Sequence, residues 1–315
     1  MYQADNSSIK QADNALRATE RRPALFWRLL LFGLGLVGII VLYIELLTGA
    51  QKAQLPQLIP IIQILVYPGL TLGLTYIFRR WLDKRPWRGL GLISPLAGLP
   101  SFLQGILLVF VSSAFFLGLL GLAGWVHIVA FQPTPSILIA LLVNAVVTFF
   151  SEPLLEETAM RGYIYRNLNT RWPCWLAILG QTILFTSWPL ASYLITGGLL
   201  GQEIPPASYY LTYIPQLLLF GFILQLCRIT AGNLWMNMGF HLAYLEVLRF
   251  ISPEAKALIR IEFTPTLPGL EHFLLGDGRA ICLLIVSIVV FFAWQALRRR
   301  PINWQAIDPD SKQEQ

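Results

Sequence analysis

The segment Glu156-Glu157-Thr158-Ala159-Met160-Arg161-Gly162 sets two adjacent carboxylates and a guanidinium at the end of a long apolar run. Upstream, Gly89 to Ser151 holds no Asp, Glu, Lys or Arg. Charge at the edge of hydrocarbon is expensive and is retained where it has a task. On a helix Glu157 and Arg161 are four apart with the carboxylate first, the favourable order for an ion pair. The spacing favours the plain reading of that pair, a snorkelling contact at the membrane interface. Glu156 lies about 100° further round the axis and is free to point into a bundle. Glu152 is four residues earlier, shares the face of Glu156, and precedes Pro153, where a kink or helix start is expected. Carboxylates in a poorly solvated site suit a general base that takes a proton from water.

His241 is the second candidate, on a polar stripe with Asn237 one helical turn before it. A histidine and an amide projecting together could hold a metal or stabilise an oxyanion. They could equally form an interhelical hydrogen bond, and spacing alone does not separate the two. His127 and His272 fall at or beyond the far ends of spans and read as interfacial. Gln181, Thr182 and Ser187 in one span, and Asn144 in another, mark faces turned towards the bundle interior.

The elements that must position these groups are membrane spans. The chain has 315 residues, is 56% hydrophobic and 13% charged, and has a mean hydropathy of +0.61. A soluble domain is nearer a quarter charged. Spans of roughly 20 apolar residues are expected at about 26–48, 56–78, 100–126, 136–156, 173–199, 207–227, 229–250 and 279–297. Gln132-Pro133-Thr134-Pro135 breaks the charge-free stretch into a hairpin. Arg161 to Trp172 reads as the connection after the fourth span. The fold class is therefore all-α and polytopic, with about eight transmembrane helices.

Five of the 23 Lys and Arg (Lys52, Arg249, Lys256, Arg260 and Arg279) fall in one set of loops, and the rest in the other. By the positive-inside rule both termini are expected in the cytoplasm, with Glu156 and Glu157 at the cytoplasmic end of span four. Residues 1–25 read as a disordered cytoplasmic tail, 26–88 as two N-terminal spans and 89–250 as the core that carries the site. Residues 251–278 read as an external loop with a short interfacial helix, 279–300 as the last span and 301–315 as a cytoplasmic tail. The net charge of +6 sits in short clusters beside spans, which argues against a nucleic-acid partner. Cys174, Cys227 and Cys282 are too scattered for a disulfide framework or a CxxC zinc site and read as packing residues.

Glu156-Glu157-x-x-x-Arg161-Gly162, with Thr230-Ala231-Gly232-Asn233-Leu234-Trp235 leading to His241, resembles the CPBP family of CAAX prenyl and bacteriocin-processing (Abi) intramembrane proteases. The resemblance covers roughly residues 90–250. It implies an intramembrane endopeptidase acting on a membrane-associated peptide or protein, in a lipid setting, with a bacterial plasma membrane as the expected location. Glu156 would activate water, Glu157 and Arg161 would orient it, and His241 would be a metal ligand or oxyanion donor. Two positions depart from the family pattern: Pro189 stands where Phe185-x-x-x-His is expected, and Leu245 where Asn or Asp follows His241. A catalytic zinc takes three protein ligands. Glu156 and His241 supply two, and Glu152 or Asn237 would have to complete the set. The alternatives are a catalytically inactive relative acting as a membrane scaffold or substrate-binding protein, and, more remotely, a transporter relaying protons through its intramembrane carboxylates.

Overall fold

The computed structural model describes residues 23–264, 273–274, 277–299 and 301–307. The expected tail residues 1–22 and 308–315, and His272, lie outside them. Helices follow in the order α1 (Leu25–Lys52), α2 (Leu58–Leu82), α3 (Pro95–Leu122), α4 (Pro135–Asn169), α5 (Cys174–Leu200), α6 (Ala207–Ala231), α7 (Trp235–Phe250) and α8 (Asp277–Arg298). Seven helices among the described residues are long and apolar enough to cross a membrane. The chain is thus an all-α polytopic membrane protein. The seventh expected span, 229–250, is the 16-residue α7, because α6 continues to Ala231 and Gly232 ends it in a left-handed turn at φ 69°.

The outer surface is as apolar as lipid requires, with Leu34, Leu65, Phe110, Leu142, Ile183 and Leu211 all exposed. In such a solvent burial of apolar side chains gives little preference for the interior, so close backbone contact and hydrogen bonds hold helices together. The α3–α7 pair shows the first. A Cβ built on Gly105 would lie 2.1 Å from the Met236 carbonyl oxygen, and one on Gly239 2.0 Å from that of Phe102. Only glycine admits this approach, which fixes the helix bearing His241 against α3. Hydrogen bonds do the rest. Gln225 on α6 donates to Gln181 on α5. Asn144 on α4 donates to Glu246 on α7 at 2.8 Å, and Arg249 joins both helices through Glu246 and Thr148.

Three expectations change here. The fourth span does not end at 156: α4 breaks at Glu152, whose φ is −132°, resumes at Pro153 and runs to Asn169. Arg161 to Trp172 is expected to connect two spans, yet the residues from Glu157 to Asn169 are all buried helix. Their polar groups are tolerated because they meet partners. Asp83 at the end of α2 accepts hydrogen bonds from Arg28 of α1 and from Tyr163 (3.2 Å) and Asn167 (2.9 Å) of α4. Second, residues 251–264 are not the loop expected there; of the short interfacial helix expected in 251–278 the described residues show only helical Phe273 and Leu274. β2 (Ile251–Ser252) and β3 (Ile259–Phe263) instead form a three-stranded sheet with β1 (Val126–Phe131), in the order β1-β3-β2. Exposed His127 lies on β1 opposite Glu262. Third, residues 301–307 are not a free tail. The carbonyls of Ala306 and Trp304 accept from the backbone N–H groups of Cys174 and Trp175, capping the start of α5. The sheet marks one end of the bundle and the Arg-rich loops the other.

Candidate functional site

Glu157 opens a π-helical stretch, Glu157–Ile164, immediately after the Glu152 break. Wide turns of this kind recur at functional sites because they shift side chains off the regular helical register. Glu157 and Arg161 form the ion pair that their spacing predicts, at 3.3 Å. They are not at an interface, however, since both side chains have zero exposure. The Arg161 guanidinium also lies 4.1 Å over the Phe185 ring of α5. The same Glu157 oxygen, Oε1, is 2.9 Å from Nδ1 of His241. A carboxylate paired with arginine only accepts, so His241 Nδ1 carries the proton. This leaves Nε2 as the ring nitrogen for the adjoining cavity. Phe220 braces the imidazole edge-on with its centroid at 4.7 Å.

Asn237 does not join His241. Its amide donates to the Leu224 carbonyl of α6 at 2.6 Å, and its side chain is fully buried away from the cavity. It is a helix–helix lock, the interhelical reading of the two. Ser187 is likewise exposed, bonding back to the Ile183 carbonyl, whereas Gln181, Thr182 and Asn144 face inward as expected.

The cavity holds about 380 Å³ and is bordered by Glu152, Glu156 and His241. The two carboxylates that shared a face in sequence therefore do meet one space. Among the described residues neither has a hydrogen-bonding partner in the protein. Phe185, Pro189 and Leu245 also border this space. The positions where the family pattern has histidine and an amide or acid thus converge on the site, but they present apolar surface. Polar groups that sequence reasoning passed over complete the wall, among them Tyr67, Ser192, Tyr193, Tyr213, Gln216 and Tyr244. Their only sequence signal was position: each sits inside an apolar helix on the face turned inward. The cavity extends along the second half of α5 to exposed Gln202 in the α5–α6 loop. The opposite direction, towards the Arg-rich end, is closed by the buried 157–169 helix.

As a zinc site the donor set does not fit. Among the described residues no group of three or more His, Cys, Asp or Glu side chains is placed to hold a metal ion. Asn237, a candidate third ligand, is turned to the Leu224 carbonyl instead.

A family model described as "Type II CAAX prenyl endopeptidase Rce1-like" matches residues 138–245. The match begins in α4 and ends on Leu245, so it spans Glu152, Glu156, Glu157, Arg161, Pro189 and His241. No curated protein and no solved structure matches the chain. The class defined by fold and site is a multi-pass integral membrane protein with an intramembrane carboxylate cavity. Over 138–245 the chain is similar to the CAAX prenyl endopeptidase family that this model describes.

Proposed function

We propose that the protein is an intramembrane endopeptidase in which Glu156 activates water against a peptide bond of a membrane-associated substrate. The observation that carries this reading is the pair of cavity-facing carboxylates, Glu152 and Glu156, held without protein hydrogen bonds inside a membrane bundle. Such groups cost stability and contribute none, so their placement is accounted for by what enters the cavity.

In the proposed reaction the Glu156 carboxylate takes a proton from water as the oxygen attacks the carbonyl carbon. Nε2–H of His241, in its imidazolium form, donates to the oxyanion. The C–N bond then breaks as Glu156 returns its proton to the leaving amine. Glu157 orients the imidazole, and Arg161 and the Phe185 ring fix Glu157. Tyr213 and Tyr244 border the same space and supply hydroxyls near the reacting groups. No step is routed through a metal, since the residues present do not make up a zinc donor set.

Pro189 and Leu245 favour a second reading, an inactive relative that binds a membrane-associated peptide without cutting it. The two separate in one experiment. Wild-type protein and Glu156→Gln are reconstituted in lipid and incubated with a prenylated CAAX peptide and with a panel of membrane-inserted peptides. Cleavage by the wild type that falls about 10²–10⁴-fold in Glu156→Gln supports the endopeptidase. Binding without a Glu156-dependent product supports the inactive relative.

A further inference from the structure

A second polar cavity, of about 590 Å³, opens at the Arg-rich end of the bundle. It lies between the end of α6, the Gly232 turn, the last turns of α8 and the segment 301–307, so the strap that caps α5 forms one of its walls. That wall is fixed: the Asn169 side chain donates to the carbonyls of Ala306 and Trp172, each at 3.1 Å. Gln295 is held against Thr230 at 3.0 Å.

The lining is cationic and amidic. Arg228 and Arg298 border the cavity together with Gln295 and Asn303, and among the described residues no Asp or Glu does. Arg298 is exposed, stacks 4.2 Å over the ring of Trp294, and has no carboxylate partner among the described residues. Ile307 on the wall is 51% exposed, and Leu297, next to Arg298 in sequence, is 84% exposed. A guanidinium held flat by an indole, with amides beside it and no carboxylate on the lining among the described residues, makes a receptor for a phosphate oxyanion. Basic pockets between membrane helices at a charged interface take lipid headgroups by the same chemistry.

We propose that this cavity binds the phosphate of an anionic membrane lipid, with Arg298 taking the phosphate, Asn303 the glycerol portion, and Leu297 and Ile307 the start of the acyl chains. The site is separate from the carboxylate cavity, and the proposal does not depend on proteolysis.

The test is native mass spectrometry of the full chain released from detergent, after exposure to phosphatidylglycerol, to phosphatidylcholine or to glycerol 3-phosphate. Wild type is expected to retain one phosphatidylglycerol in preference to phosphatidylcholine. Arg298→Gln should retain about fivefold less, the effect expected for one interfacial cation, and Arg80→Gln, an exposed cation of the same end outside the cavity, should match wild type. Equal retention by wild type and Arg298→Gln would overturn the site. So would an equal fall in Arg80→Gln, which reports surface charge alone. Arg298-dependent binding of glycerol 3-phosphate without retained lipid would overturn the lipid assignment in favour of a soluble phosphate compound.

Discussion

Removing Glu157 should unfold this protein more readily than removing any cavity residue. Its carboxylate is fully buried and its Oε1 atom serves both Arg161 and His241. Glu157→Ala leaves a guanidinium with zero exposure and no other ion-pair partner among the described residues. Breaking a buried pair from one side costs about 3–5 kcal/mol, and each 1.4 kcal/mol is about tenfold in the equilibrium. The unfolded fraction should therefore rise by roughly two to three and a half orders of magnitude. Glu156→Ala, whose side chain faces the cavity, should stay within about 0.5 kcal/mol of wild type. The double variant Glu157→Met/Arg161→Met should recover much of the loss, because replacing both partners by apolar groups is often close to neutral. Denaturant titration in mixed micelles, followed through the ten tryptophans, measures all four proteins. Equal midpoints for Glu157→Ala and Glu156→Ala would refute the reasoning, as would a double variant whose loss is the sum of the single losses.

Gly239→Ala must push α7 off α3, since its Cβ would meet the Phe102 carbonyl at 2.0 Å. A loss of about 1–3 kcal/mol is expected in the same titration, against no change for Gly118→Ala, where nothing lies within 4 Å. Pro189→His places a third donor on the wall shared by Glu156 and His241. With Leu245→Asn added, it should bind about one zinc per chain by elemental mass spectrometry while wild type binds none. A double variant without zinc would show that the apolar wall does not correspond to the missing motif positions. Ser192→Cys and Gln202→Cys should react with a membrane-impermeant maleimide from the side opposite to Arg171→Cys. Reaction of all three from one side would show that the cavity is reached from the Arg-rich end.

Sequence spacing grouped Glu152, Glu156, Glu157 and Arg161, and the family resemblance added His241; in the structure Glu152, Glu156 and His241 border the cavity and Glu157 ties His241 to Arg161 behind it. What spacing did not reveal is which carboxylate does which task at depth. A charge after an apolar run is read as the edge of the membrane, and by that rule Arg161 to Trp172 became a loop and Glu157–Arg161 a surface pair. The rule fails when the charges find partners inside the protein, and those partners are remote in the chain. Arg28 reaches Asn167 across 139 residues, and Glu157 reaches His241 across 84. The sheet escaped notice for the same reason, since β1 and β3 are separated by four helices and neither is long enough to signal alone. The α3–α7 contact rests on glycines whose significance depends wholly on what lies opposite.

The arrangement also separates two kinds of evidence for function. Glu157, Arg161 and His241 satisfy one another, and a protein that had lost catalysis could keep them for stability alone. Glu156 and Glu152 have no such account. They face about 380 Å³ of cavity with no side-chain hydrogen bond among the described residues, beside apolar Pro189 and Leu245. A carboxylate in that position is destabilising, and mutation to an amide or an alkyl group would relieve it at little structural cost. An inactive scaffold would have no use for that charge, whereas a water-activating base requires it. Stability and cleavage should accordingly come apart: substitutions in the Glu157–Arg161–His241 lock lower both together, while Glu156→Gln keeps or raises the unfolding midpoint and removes cleavage. A Glu156→Gln protein less stable than wild type would place this carboxylate in the lock and return the weight to the inactive relative.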